Sequence, residues 1–158
     1  MEFPERILTN EEIEKVRKLI RAGYKHRIEI EGSQEFKEKV KAALRLIKEA
    51  GYYDFLRTYI RKIKEIDGLT QLREYEACIW ANKYAVKDPV DAASLFIQKA
   101  HHMKEYLEGK IYYGGEAERR SVEQRIEFLK KLKEKCQDDK VKHECEVLLN
   151  NWSDSVFL

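Results

Sequence analysis

Two adjacent histidines, His101 and His102, lie inside the most apolar helical pattern of the chain, and Glu116 and Glu118 follow them after a short glycine-containing segment. Imidazole and carboxylate groups are the common nitrogen and oxygen ligands of zinc in proteins. Residues four apart on a helix share a face, so a ligand at position 98 could join His102 on one ion. The sequence therefore contains the residue types of a metal centre.

The order of elements around these residues resembles that of small zincin-like metallopeptidases. A β-rich stretch precedes a proline-initiated apolar helix that ends in histidine, and a glycine-containing loop then leads to a helix that opens with glutamates. In that family the helix reads H-E-x-x-H, and a glutamate on a later helix supplies the third zinc ligand. The resemblance covers roughly residues 55–135. It implies a small antiparallel sheet before the helix, with strands at 60–66 and 77–85.

The chain departs from the family pattern at two essential positions. His102 takes the place of the second histidine, and Gln98 takes that of the first. Lys99 takes the place of the catalytic glutamate, and Glu116 or Glu118 that of the later ligand. An amide binds zinc poorly compared with imidazole, and a protonated lysine cannot accept a proton from a zinc-bound water. The resemblance therefore implies a non-catalytic scaffold without a cofactor, which acts by binding an unidentified protein or peptide.

The two histidines also have a simpler interpretation. Histidines on a buried helix are more often hydrogen-bonded packing residues than metal ligands. Glu105 lies four residues after His101, where a carboxylate favours the charged imidazole without any metal. We further expect Lys99 to form a salt bridge with Glu116 or Glu118, in the space that a metal ion would have filled.

Two other functions stay open. A metal-dependent hydrolase or peptidase with an unorthodox ligand set would use His102 with Glu116 or Glu118, with or without His101. Adjacent histidines point about 100° apart around a helix, which disfavours a shared ion. A helical adaptor or homo-oligomer would instead need an exposed apolar patch near the C-terminus. The candidates for that patch are Trp152, Val156, Phe157 and Leu158.

Surface features give little support to other ligands. Tyr112 and Tyr113 precede Gly114 and Gly115, and we expect this loop to form the lip of any cleft. Thirty-one Lys and Arg residues against 29 Asp and Glu residues leave a net charge of +2. This balance indicates neither nucleic acid nor an anionic membrane as the partner.

Length and composition indicate one domain. The chain of 158 residues and 18.8 kDa fits a single unit over residues 1–158, with 153–158 as a loose tail. Three cysteines without a CxxC spacing favour reduced thiols, and the N-terminus shows no secretory signal. A cytoplasmic location is therefore expected. The surface, rich in Lys and Glu and poor in Asn and Gln, is typical of thermophile proteins.

The pattern of apolar residues predicts a mainly helical α+β domain with about five helices and a small antiparallel sheet. An all-α helical array is the alternative. Residues 27–31 alternate charged and β-branched side chains, which is the clearest strand signal. Residues 52–66 and 72–86 fit helix or strand, and Asp67 and Gly68 mark a turn between them. The predicted helices cover residues 9–23, 33–51, 88–109, 116–135 and 138–152.

Overall fold

The computed structural model describes residues 2–110 and 114–156, which form six α-helices and four short strands. The helices are α1 (Asn10–Arg21), α2 (Gln34–Glu49), α3 (Tyr53–Tyr59), α4 (Pro89–Leu107), α5 (Gly115–Lys135) and α6 (Asp139–Val156). The strands are β1 (Glu29–Glu31), β2 (Lys62–Glu65), β3 (Gln71–Arg73) and β4 (Cys78–Ala81). None of the described helices combines the length and the apolar character that a membrane span requires.

This architecture confirms the mainly helical α+β prediction and excludes the all-α alternative. The sixth helix is the short α3, which occupies the first part of the ambiguous region. The strands at 62–65 and 78–81 fall where the resemblance placed them, although residues 82–85 form a turn after β4. Helix α6 continues through Val156, so the backbone of residues 153–156 is helical, whereas 157–158 lie outside the described residues.

The sheet is mixed, so the prediction of an antiparallel sheet was wrong in this detail. Its strand order is β1-β2-β4-β3; β1 and β4 both run parallel to β2, and only β3 is antiparallel to its neighbour. The physical reason is the connection between β1 and β2. Helices α2 and α3 form a crossover that returns the chain in its original direction. As a result, β1, β2 and β4 end at the same edge of the sheet.

Local sequence signals explain where the helices begin. Thr9 and Glu12 form a complete capping box at the start of α1, and the Ser33 hydroxyl accepts a hydrogen bond from the Phe36 backbone N–H at the start of α2. Pro89 occupies the first turn of α4, where its missing N–H costs nothing. These three helix starts agree with the predicted ones.

Helix α4 is the central element of the core. It packs against α2, α3, α5, α6 and β3, which leaves little of its surface exposed. Its apolar face includes the fully buried Phe96, Ile97 and Ala100. On the sheet, Ile63 and Ile79 lie opposite each other in the β2–β4 register and are also fully buried. Because α4 is surrounded, any polar residue on it needs a partner from a neighbouring helix.

Candidate functional site

A stripe of polar residues runs along one face of α4. Its members recur every three or four residues, so they lie one above the other on the same side of the helix. They are Asp91, Ser94, Gln98, His102 and Glu105. The stripe faces α5, whose partner side chains are Arg120, Ser121 and Arg125. The interface between α4 and α5 is therefore a polar network inside an otherwise apolar core.

Ser121 lies at the centre of this network. The Gln98 side-chain amide donates a hydrogen bond to the Ser121 hydroxyl, and Nε2 of His102 lies 3.1 Å from the same oxygen. Both side chains thus meet one atom of α5, as residues four apart on a helix face can. That atom belongs to Ser121, one turn further along α5 than the glutamates expected there.

Arg125 binds the other half of the stripe. Its guanidinium donates to Asp91 Oδ1 at 2.7 Å, to Ser94 Oγ at 2.9 Å and to Gln98 Oε1 at 3.3 Å. Only 7% of its side chain is exposed, whereas 43% of the Asp91 side chain reaches solvent. The Trp152 ring of α6 covers the guanidinium, with its centroid 4.4 Å from Cζ. Arg125 therefore connects three helices through one buried cation.

A second ion pair closes the far end of the stripe. Glu105 is buried, and its two carboxylate oxygens accept hydrogen bonds from Arg120 at 3.2 and 3.3 Å. The charged partner of Glu105 is thus an arginine of α5, and the expected pairing with His101 is not the main contact. This bidentate geometry is the strong form of a carboxylate–guanidinium interaction.

Burial keeps both histidines neutral. It lowers the pKa of His101 to about 4, with the nearby Lys104 acting in the same direction. Burial and the neighbouring Lys99 likewise lower the pKa of His102 to about 4. The His101 ring packs against Phe55, with 4.5 Å between the ring centroids. These contacts are those of packing residues, as the simpler interpretation proposed.

The other predicted site residues do not join the network. Glu116 and Glu118 are exposed on the first turn of α5, and no ion pair links either to Lys99. Burial lowers the pKa of Lys99, the charge of Arg125 lowers it further, and Glu74 opposes this effect. The predicted salt bridge is therefore not formed among the described residues, because Glu116 and Glu118 are exposed and the charges that act on Lys99 belong to Arg125 and Glu74. Tyr112 and Tyr113 lie outside the described residues.

The C-terminal apolar patch is only partly described. Trp152 is half-buried against the core and covers Arg125, so it serves the fold of the chain itself. Nothing is described for the side chain of Val156 or for Phe157 and Leu158. Self-association through this end of the chain stays a prediction. Trp152 would contribute less to such a surface than expected, because its ring already packs against Arg125.

The donor set of the network does not fit a zinc ion. It offers one imidazole, one amide and one hydroxyl, and the Arg125 cation already binds the amide oxygen. Within residues 2–110 and 114–156, no three His, Cys, Asp or Glu side chains are grouped in a way that could hold a metal ion. The unorthodox ligand set of His102, Glu116 and Glu118 is thus not assembled.

Ser121 and neutral His102 also form the nucleophile and base of a possible dyad. The hydroxyl accepts from Gln98 and can donate its proton to Nε2 of His102. However, Ser121 is only 5% exposed between two packed helices. A substrate carbonyl could reach the hydroxyl only if α4 and α5 separated, so this arrangement is structural.

Sequence reasoning missed Ser121 and Arg125. The spacing of Val122, Ile126, Leu129 and Leu132 predicts the buried stripe of α5, and neither Ser121 nor Arg125 belongs to it, although both are buried. A signal was present, because Ser121 and Arg125 are four apart and match the polar stripe of α4. Only the packing of the two helices shows that these stripes face each other.

The buried histidines predict a pH-dependent stability. Burial also lowers the pKa of His26 to about 4, with Arg61 and Arg57 contributing. Unfolding returns each imidazole to a pKa of about 6.5, so between pH 6.5 and 4 the unfolded chain binds more protons than the folded one. The free energy of unfolding should therefore fall as the pH decreases through this range and level off below about pH 4.

Chemical denaturation at pH 7 and pH 5 measures this effect. We expect a loss of at least about 1 kcal/mol, a value reduced for the solvent access that the imidazoles retain. His102→Gln should make the pH dependence shallower, whereas a change of the exposed His143 to Gln should leave it as it is. Equal stability at both pH values would show that the histidines are not buried as described.

Comparisons with known proteins add no relative. No family model matches the chain, and neither the curated proteins nor the solved structures give a significant match. The functional argument therefore depends on the geometry of the chain itself.

Proposed function

We propose that the protein acts by binding and not by catalysis, on a scaffold of the zincin-like type that has lost its metal site. One observation carries the proposal. Gln98 and His102, at the two histidine positions of the H-E-x-x-H pattern, hydrogen-bond to one oxygen of the later helix. In this proposal Ser121, and not Glu116 or Glu118, occupies the place of the third ligand.

The distances support this assignment of positions. Two ligand atoms on a tetrahedral zinc with bonds of 2.0–2.1 Å lie about 3.3 Å apart. The side-chain atoms His102 Nε2 and Ser121 Oγ are separated by 3.1 Å, close to the spacing of two ligand atoms on one ion. In this proposal, direct hydrogen bonds to the Ser121 oxygen join the side chains of Gln98 and His102 that, in a zincin, a zinc ion would bridge.

The charges around the site support a non-catalytic role. Lys99 stands where the general base would be, and its ammonium cannot accept a proton from water. Arg125 places a second cation next to Gln98, which disfavours a divalent ion there. A scaffold whose metal position is taken up by hydrogen bonds and cations can still bind a protein or peptide at its surface. We propose that this partner is in the cytoplasm.

Zinc content and hydrolysis test the proposal together. The protein, purified without chelators, should contain well below one equivalent of zinc by elemental analysis. It should also leave an unfolded casein substrate intact in the presence of added zinc. His102→Ala should change neither result, and neither should Glu118→Ala, which serves as an exposed control on α5. Equimolar zinc and casein hydrolysis, both lost in His102→Ala alone, would overturn the proposal in favour of the hydrolase.

A further inference from the structure

A cavity of about 310 Å³ opens at the edge of the sheet where the three parallel strands end. Its walls come from the segments that directly follow β1 and β4 and from Glu65, the last residue of β2. In open sheets with parallel strands, ligands bind in the crevice outside the carboxyl ends of the strands. We call this feature the strand-end cavity. It shares no lining residue with the network between α4 and α5.

The floor and one side of the strand-end cavity are apolar. Phe36 and Val86 are buried and line it from α2 and from the segment before α4. Tyr84 stands at the rim with 73% of its surface exposed, which is unusual for a large aromatic residue. The exposed Tyr84 ring therefore provides one flat contact surface for the ring of a ligand, beside a cavity whose inner lining is apolar.

Three lysines surround these surfaces. Lys39 already pairs with Glu35 at 3.6 Å, and the second carboxylate of the lining, on Glu65, accepts the Ser33 backbone N–H at 2.9 Å. Lys83 and Lys87 form no ion pair with any described residue. The Lys83 ammonium lies 5.2 Å from the centroid of the Tyr84 ring. The ammonium groups of Lys83, next to the exposed ring, and of Lys87, elsewhere in the lining, are therefore available to an anion.

The loop that carries these groups is held in place before any ligand binds. The Asn82 side-chain oxygen accepts the backbone N–H groups of Tyr84 and Ala85, both at 3.0 Å, and its amide donates to the Gly68 carbonyl at 3.2 Å. Gly32, which directly precedes the lining residue Ser33, allows the backbone to approach Glu65 closely, because a Cβ there would lie 2.7 Å from Cβ of Glu65. A fixed loop reduces the entropy lost on binding.

We propose that the strand-end cavity binds a small aromatic anion, of the size and chemistry of a nucleoside monophosphate. The ring of the ligand stacks on Tyr84, next to the apolar lining, and its phosphate pairs with Lys83 and Lys87 of the same lining. A volume of about 310 Å³ is at the lower end for ligand pockets, so a mononucleotide fits and a dinucleotide does not. The N-terminus of α2 is not the anion site, because Glu65 already accepts its first N–H.

Amide NMR with AMP, adenosine and inorganic phosphate as separate probes tests this site. AMP should produce saturable shifts at residues 32–36, 65 and 83–87, with a Kd of about 1 mM or lower. Adenosine lacks the anion and phosphate lacks the ring, so each should bind at least tenfold more weakly. Phosphate binding as tightly as AMP, or no saturable shift with AMP, would overturn the proposal.

A charge-matched pair of variants identifies the binding residues. The double variant K83A/K87A should weaken AMP binding at least tenfold, and Tyr84→Ala should weaken it by a similar factor. The control K41A/K130A removes two exposed lysines from α2 and α5 and should leave the Kd unchanged. Equal AMP affinity in the two double variants would contradict the site. Because the lining is separate from His102 and Ser121, this result is independent of the zinc measurement.

Discussion

Replacing Arg125 with alanine should lower the free energy of unfolding by about 3 kcal/mol. The change removes hydrogen bonds to Asp91, Ser94 and Gln98, and it leaves the buried Ser94 and the half-buried Gln98 without this donor. It also removes the contact with the Trp152 ring that joins α6 to the network. We expect less than the largest losses measured for broken buried ion pairs, because the Asp91 side chain is 43% exposed and its carboxylate is hydrated by solvent once Arg125 is removed.

Urea denaturation of the variant measures this loss. Arg119→Ala, an exposed change six residues earlier on α5, should alter stability by less than about 0.5 kcal/mol. Arg125→Lys should fall between the two, since an ammonium keeps the charge but cannot donate to three partners in the same geometry. A loss no greater than that of the Arg119 control would show that α4 and α5 are not joined through this side chain.

The double variant Q98H/S121D should bind one zinc ion at least a hundredfold more tightly than the wild type, a gain of about 2.8 kcal/mol. Positions 98 and 102 already converge on the Ser121 oxygen, so the two substitutions would place a second imidazole and a carboxylate around one point. Two histidines and a carboxylate form a complete protein ligand set for zinc. Competition with a coloured zinc chelator, followed by elemental analysis, measures the gain.

The single variant Gln98→His is the matched control. It contains two histidines four apart and keeps Glu116 and Glu118, the ligands predicted from the sequence. Because these glutamates are exposed one turn before Ser121, the single variant should bind zinc much more weakly than the double one. Equal affinity would restore the glutamates as ligands. A folded double variant without zinc affinity would show that the three positions do not have zincin-like geometry, and the proposed origin of the scaffold would fail.

The arrangement also explains why a polar stripe can lie inside the core without a ligand. Ion pairs with arginines of α5 close both ends of the stripe, at Asp91 and Glu105, and Ser121 joins the two middle residues. A buried network of this kind is stable only when nearly every member has a partner, and it then fixes the relative position of its helices. The network therefore orients α5 on α4 where apolar contacts alone would be less specific.

Local interactions made much of the fold predictable from the sequence. The Thr9–Glu12 capping box, the Ser33 cap and Pro89 define helix starts through contacts within three or four residues, and the structure confirms all three. The spacing of Gln98 and His102 likewise indicated a shared face, because helical geometry alone determines it. These features depend on neighbouring residues and so can be read from the chain order.

The tertiary structure decided the features that depend on which surfaces meet. The parallel direction of β1 and β2 follows from the crossover through α2 and α3. The contact of His102 with Ser121, and not with Glu116, follows from the rotation of α5 against α4. A helix carries both its exposed and its buried polar residues at the same spacing, so periodicity cannot say which of them will face a neighbour. The sequence by itself determined five of the six described helices and the shared face of positions 98 and 102. Packing determined α3 and the partners of those two positions, because contact between distant segments is a property of the folded chain.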